Sequence, residues 1–287
     1  MSSKLHNRLA VRKVFEETPL VSVIIPTKNS EDSIEKCLES LRNQSYKNVE
    51  IIVVDNYSMD KTAEIAKNFK VKIFSKGPER SAQVNFGAQK ANGKYVYRVD
   101  SDFVLEPDVI REAVVSSENF GYDAVVVHNS SDPTISFWAK VRKAERDCYK
   151  NDELNVAARF WKKEVFTAVG GFDEALVAGD DYDLHNRLLR SGFKVGRIRA
   201  KEIHVGEPRT LADIVRKHYY YGKNIRRFIK KNPQKALMQL APMRASYVKN
   251  ITNFFSSPLL LVGFAVYQVA RYGAVTVGIV TAKLEEL

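Results

Sequence analysis

Through its first hundred residues the chain alternates short apolar runs with segments in which apolar residues return every three or four positions. "LVSVIIPT" (20–27) is almost entirely apolar, rich in β-branched residues and closed by Pro26, which predicts a buried parallel strand. "SEDSIEKCLESLRNQ" (30–44) follows, with Ile34, Cys37, Leu38 and Leu41 at helical spacing and Ser30 or Asp32 placed to cap it. The pattern then repeats. "VEIIVVD" (49–55) reads as a strand, "DKTAEIAKNF" (60–69) as a helix capped by Asp60, and "VKIFSK" (71–76) as a third strand. "SAQVNFGAQKANG" (81–93) reads as a helix stopped by its Asn-Gly pair, and "KYVYRVD" (94–100) as a fourth strand. Strands and helices joined by short links predict an α/β fold with a doubly wound, mainly parallel sheet.

Beyond Leu105 the pattern weakens. Between 104 and 165 only "ISFWAKVRKAERDCYK" (135–150) is clearly helical, and the rest is expected to be irregular. Residues 169–199 give a Gly-rich turn, an acidic loop, a helix over 182–190 and a further strand. In "LADIVRKHYYYGKNIRRFIKK" (211–231), Leu211, Ile214, Val215, Tyr219, Ile225, Phe228 and Ile229 fall largely on one helical face, opposite basic residues. That is the pattern of an interfacial amphipathic helix. The stretch from Phe254 to Ala282 is strongly apolar but interrupted by Pro258, Gln268 and Arg271. Its length would cross a bilayer, for which about twenty residues are needed. Arg271 would add roughly 2.5–3.5 kcal/mol to the insertion of a lone span, so the alternatives are two shorter helices lying in the interface or dipping into it, and a soluble helix packed on the catalytic domain.

Composition and charge sharpen this picture. The 287 residues are 45% hydrophobic and 28% charged, as expected of one folded α/β domain with an appendage. Cys37 and Cys148 make no disulfide framework and no metal spacing, so a reducing compartment is expected. The net charge of +11 is concentrated: between Arg209 and Lys249 eleven Lys/Arg face one acid, Asp213. Such a block suits an anionic surface. Residues 1–19 are polar and basic without an apolar h-region, which excludes a signal peptide. The expected organisation is a basic tail (1–19), a catalytic domain (20–208), basic amphipathic helices (209–249) and an apolar, membrane-associated tail (250–287).

Ligands of doubly wound sheets sit beyond the carboxyl ends of the strands. Here three strands deliver polar residues to that edge: Thr27 and Asn29, then Asp55, then Asp100 and Asp102. Two carboxylates one residue apart suit a hard cation such as Mg²⁺ or Mn²⁺, which takes its remaining oxygens from phosphates. The first strand–helix turn, "PTKNSEDS", has no glycine and excludes a dinucleotide fingerprint; no P-loop and no H-E-x-x-H is present. Arg98, inside the fourth strand, reads as an edge accommodation or a group reaching for a ligand.

The segments "SVIIPTKNSEDSIEKCLESLRNQSYKNVEIIVVDNYSMDKT", "ERSAQVNFGAQKANGKYVYRVDSD" and "VGGFDEALVAGDDYDLHNRLLRSGFKV" together resemble the family 2 glycosyltransferases over roughly 20–205. The resemblance implies the GT-A fold, a nucleotide-sugar donor, a divalent metal, Mg²⁺ or Mn²⁺, and inversion at the anomeric carbon. By position, it implies that Pro26, Thr27 and Asn29 line the nucleoside pocket and that Asp55 bonds the base. Arg80 and Asn85 would lie beside the donor, Asp100 against the ribose or a metal-bound water, and Asp102 on the metal. Asp181 matches the catalytic base, with Asp180 before it on the acceptor side, where Glu is commoner. His204 lies where some members add a metal or phosphate contact, and packing in the core is an equal expectation for it. The basic block and apolar tail add a lipid-linked or glycan acceptor at the cytoplasmic membrane face, and no nucleic acid. A polyprenyl-phosphate sugar synthase of the same family is an alternative. A non-catalytic basic protein binding membranes or nucleic acid is another, though it leaves the strand-end carboxylates without a task.

Overall fold

The computed structural model describes residues 18–255 and 257–285, so nearly all of the expected basic tail (1–19) lies outside the described residues. β1 (Val21–Thr27), β2 (Val49–Asp55), β3 (Lys72–Ser75) and β4 (Tyr95–Arg98) run parallel, as their patterns predict. β5 (Phe103–Leu105), β6 (Ala124–Ser131), β7 (Phe160–Lys162) and β8 (Val195–His204) complete an eight-stranded sheet ordered β3-β2-β1-β4-β7-β6-β8-β5. β7 is antiparallel to both β4 and β6, whereas β6 and β8 are parallel.

Helices cover both faces. On one face lie α1 (Ile34–Arg42), α2 (Thr62–Lys67) and α4 (Val109–Phe120), packed through Ile34, Cys37, Leu38, Ala66, Ile110 and Val114. The other face carries α3 (Arg80–Lys90), α6 (Lys163–Ala168) and α7 (Asp180–Arg190), packed through Val84, Ala88, Phe166, Leu184 and Leu188. The segment expected to be irregular, 104–165, instead contains β5, α4, β6, α5 (Phe137–Asp147), β7 and α6. Its pattern was blurred because buried polar residues stand at core positions: Ser116 and Ser117 on α4, Ser130 and Ser131 on β6. α7 begins at Asp180, two residues before its expected start, so the acids form its first turn.

The C-terminal region also differs. The basic segment forms three helices, α8 (Leu211–Asn224), α9 (Arg226–Lys231) and α10 (Pro233–Gln239), followed by the short α11 (Ala245–Lys249). Its cations are not all on a solvated face. Lys231 pairs with Asp173 at 2.6 Å and Asp183 at 3.0 Å, and Arg244 is buried.

The tail is one continuous helix, α12 (Pro258–Glu285), not two. The residues that seemed to interrupt it face the domain. Gln268 donates to the carbonyl of Pro242 at 3.2 Å, and Arg271 reaches the fully buried Glu145 of α5 at 2.7 Å. Glu145 also accepts from Arg142 and from the hydroxyls of Tyr149 and Tyr247. Where α12 crosses α8, two glycines let the backbones touch. A Cβ at Gly222 would lie 2.4 Å from the Val275 carbonyl oxygen, and one at Gly278 2.4 Å from that of Tyr219.

That crossing yields a prediction. Gly278→Leu should force the helices apart and cost about 1–3 kcal/mol of stability, as overpacking does. Gly273→Leu, facing open space on the same helix, should be close to neutral. Urea unfolding of the two variants checks the contrast; equal stabilities would show that the crossing tolerates a side chain.

Candidate active site

β1 and β2 end together, with Thr27 opposite Asp55; β4 stops level with Ile24 at Arg98, so the segment after it carries Asp100 and Asp102 up to the same edge. Pro26, Thr27 and Asn29 line a cavity above this edge. Asn29 adopts φ 47°, a left-handed conformation that asparagine tolerates. Its backbone N–H donates to Ser58 Oγ at 2.8 Å, and its side-chain oxygen accepts from the Met59 N–H at 2.9 Å. Asp55 is buried and accepts from both the backbone N–H (2.9 Å) and the hydroxyl of Ser58. Asn29 and Asp55 thus shape the turn over 56–59, and it is Asn56 that lines the cavity.

Asn85 does not line it. Expected beside the donor, it clamps the Gly-rich turn instead, donating to the Phe172 carbonyl and accepting from the Phe172 N–H, both at 2.9 Å.

The carboxylates converge with three arginines. Arg98 is not at an edge: β4 lies between β1 and β7, and the side chain is only 1% exposed. It bonds Asp181 through both guanidinium nitrogens and faces Asp100 at 3.3 Å. Arg159 of the segment entering β7 donates to Asp100 at 3.0 Å. Arg80, at the start of α3, binds both oxygens of Asp180 at 2.7 and 2.8 Å and stands 3.5 Å from Asp181. Burial pushes the Asp100 carboxyl upward, but Arg98, Arg159 and Arg80 together hold it far below the usual carboxylate range. Burial likewise opposes ionisation of Asp181, and Arg98 followed by Arg80 more than reverses it. In Asp180, by contrast, burial prevails over Arg80 and raises the pKa.

Asp180 was expected on the acceptor side. The structure buries it beneath Arg80 and the Ser81 hydroxyl, as a brace between α3 and α7, and leaves Asp181 as the accessible acid of the pair.

On the other side of Asp100, Asp102 keeps 34% of its side chain exposed, and His204 Nε2 lies 2.9 Å from it. The second ring nitrogen of His204 is 2.9 Å from the buried Glu207. Nε2 faces Asp102 and Nδ1 faces Glu207 without a hydrogen bond of good geometry, which places His204 behind Asp102 as an orienting group. Burial works against the charge of Asp102, and the bond from His204 keeps its carboxyl low.

A hard cation fits here. Asp102 offers accessible oxygens, while Asp100 Oδ1 makes no hydrogen bond and has Arg98 Nε at 3.3 Å, so Asp102 is the leading ligand of the two. Among the described residues no group of three or more His, Cys, Asp or Glu is placed to hold a metal ion, so a cation here would need phosphate or water oxygens to complete its shell.

Sequence reasoning missed Arg159, the buried Glu202 that faces Arg159 at 3.2 Å, and Glu207, and it misplaced Arg98. The available signal was the arginine within "YVYRVD": a buried charge in a central strand needs opposite charges around it.

The cavity has a volume of about 1660 Å³ and runs from Thr27 and Asp102 past Asp181 to Val275 and Ile279 of α12.

Known proteins resemble this arrangement. Over 99 residues, 32% of this chain, it is 40% identical to the "Putative glycosyltransferase EpsH" of Bacillus subtilis and covers 28% of it. Over 225 residues, 71% of this chain and 72% of the relative, it is 27% identical to "Glycosyltransferase AglE" of Haloferax volcanii. The chain spans only 28%, 14% and 40% of three of its curated relatives. The solved mannosyltransferase PcManGT of Pyrobaculum calidifontis, in complex with GDP-Man and Mn²⁺, superposes with a TM-score of 0.63 at 16% identity. The superposition covers 99% of this chain and 94% of the other, a likeness of fold. A profile described as "Glycosyl transferase family 2" matches residues 22–199, from β1 to the middle of β8, and takes in every strand that builds the site edge. The chain has the GT-A fold and belongs to glycosyltransferase family 2.

Proposed function

We propose that the protein is an inverting, metal-dependent glycosyltransferase that moves a sugar from a nucleotide-sugar donor to a lipid-linked or glycan acceptor at the cytoplasmic face of a membrane. The observation that carries this reading is the placement of two partly exposed acids, Asp102 and Asp181, on one cavity, with arginines between them. The GDP-Man and Mn²⁺ of the Pyrobaculum neighbour support a nucleotide-sugar donor and a divalent ion. Domain limits at 20–208, 209–249 and 250–287 are part of the proposal.

Asp102, oriented by His204, and Asp100 would hold Mg²⁺ or Mn²⁺, which supplies positive charge to the departing diphosphate. Pro26, Thr27, Asn29 and Asn56 would seat the nucleoside, while Asp55 fixes the turn beneath it. Arg80, at the cavity wall, supplies a further cation to the diphosphate. An acceptor oxygen attacks the anomeric carbon, the bond from that carbon to the diphosphate oxygen breaks with its electron pair, and Asp181 takes the acceptor's proton. Asp181 is engaged by Arg98 in the free protein, so that ion pair must loosen as the acceptor enters. This favours a second reading within the same family: an acceptor whose attacking oxygen is already anionic, such as a lipid phosphate, needs no proton removed.

The membrane component rests on α12, the one described helix long and apolar enough to cross a bilayer. Its outer face exposes Leu259, Val262, Val266, Val269, Val277, Val280 and Leu284. One side is fastened to α8 and α5, so a helix lying along the membrane surface suits it better than a free span. The neighbouring cations add attraction to anionic lipids.

Three outcomes are expected. Asp102→Ala should abolish the metal-dependent rise in melting temperature that a nucleoside diphosphate gives. Asp181→Asn should keep that rise yet lose about 10²–10⁴-fold in turnover if a hydroxyl is the acceptor, and much less if a phosphate is. Loss of the thermal shift in both variants would end this division of roles.

Arg98→Met leaves Asp181 and Asp100 short of a buried partner and should cost about 3–5 kcal/mol at pH 7. Both acids have folded pKa values below the usual one, so the stability they contribute is present above about pH 4 and is lost as pH falls through the folded values. The gap between variant and parent in urea unfolding should therefore shrink at low pH; a constant gap would mean the arginine acts by packing alone.

Replacing Val262, Val269 and Val277 by glutamate should leave melting unchanged and release the protein from anionic vesicles in a sedimentation assay. Undiminished vesicle binding would remove α12 from the membrane reading.

A further inference from the structure

The cavity is larger than donor chemistry requires. Pockets for small ligands measure about 300–1000 Å³, and this one reaches about 1660 Å³. The excess lies away from the sheet edge, in an arm between α9 and α10 on one side and α12 on the other. Ile225, Ile229 and Leu240 form one wall, and Tyr272, Val275 and Ile279 the other. None of the six carries a charge, and apart from the buried Ile225 each is half-buried. At its inner end the arm meets Tyr182, the neighbour of Asp181.

α12 therefore has three faces. Gly263, Tyr267, Ala274 and Gly278 pack on the domain, Tyr272, Val275 and Ile279 look into the arm, and the exposed valines and leucines look outward.

We propose that this arm binds the hydrocarbon chain of an amphiphilic acceptor, with the acceptor's polar head placed at Asp181. The inference rests on the lipid-linked reading above and adds to it a chain-binding site built partly from the tail helix. The occupant follows from three features together. The arm is apolar on both walls, it opens from the catalytic acid, and the helix that forms its outer wall turns an apolar stripe to the outside. A membrane lipid beside α12 would meet Tyr272, Val275 and Ile279, and the cations that also line the cavity there, Arg244 and Arg271, are already paired with Tyr149 and Glu145. A soluble sugar chain would find six apolar side chains and no hydrogen-bonding group among them except the Tyr272 hydroxyl, which already donates to the Ala241 carbonyl at 3.0 Å.

The test uses the full-length protein with GDP-mannose and UDP-N-acetylglucosamine each offered as donor, and two acceptor probes, a short-chain and a long-chain alkyl phosphate, the latter also prepared with a terminal diazirine. Photolabelling should modify peptides containing 225–240 and 272–279, and unlabelled long-chain phosphate should suppress it. Val275→Trp, which fills the arm, should raise KM for the long-chain acceptor about tenfold or more, while KM for the short-chain acceptor and donor binding stay as in the parent. Ile229→Trp, on the opposite wall, gives the same reading should the first variant fail to fold. If the parent prefers the long chain but labelling falls elsewhere and the tryptophans change nothing, the arm is not the chain site and the lipid-linked reading survives. If the parent glycosylates neither phosphate but does glycosylate a soluble glycan, the lipid-linked reading falls and the chain site falls with it.

Discussion

Like charges brought to one sheet edge must be held there, and in this protein three arginines do it. Asp100, Asp180 and Asp181 would repel one another in a site largely shielded from water, where charge interactions are far stronger than at the surface. Arg98, Arg159 and Arg80 lie among them. Two of these arginines are themselves supported by aromatic faces, Arg98 over Phe172 at 5.5 Å and Arg159 over Phe103 at 4.8 Å. Through this cluster Arg80 ties the start of α3 to the start of α7, and Arg159 ties the segment entering β7 to the end of β4. Asp102 is bonded by none of the three and has His204 as its partner instead.

The first half of the fold was legible because its strands are buried on both faces and its helices show a clean apolar stripe. Ile34, Cys37, Leu38 and Leu41 were enough to place α1. The strand-end acids were legible for the same reason, since strand limits in a parallel sheet fix which residues reach the edge. Arg98 was not legible, because a single basic residue in a strand can be explained by an edge or by a buried partner, and the partner lies 83 residues away. The region between 104 and 165 was hidden by buried serines, whose hydrogen bonds a hydropathy pattern does not register. In α12, Gln268 and Arg271 looked like breaks because nothing local announces that Pro242 and Glu145 stand opposite them.

The basic segment shows how charge counts mislead. Lys223 is spent on Glu285, Lys231 on two aspartates, and Arg244 on Tyr149 and two backbone carbonyls. Arg209 and Lys217 stand at the mouth of the cavity, exposed to solvent. Much of the apparent surface charge is structural, and the part of the +10 free to meet an anionic surface is correspondingly smaller.

Glu145 sits inside the domain and grips Arg271 of the tail helix. That joint, together with the glycine crossing on α8 and the bonds of Gln268 and Tyr272, makes the last helix a bracket and not a leash. A leashed enzyme samples every height and tilt above the surface it is tied to. A bracketed one presents its acid at one distance, so with the outer stripe seated on a bilayer the fold acts as a ruler. It would accept head groups that reach that height and pass over shorter or longer ones, a form of selection that requires no contact with the sugar itself.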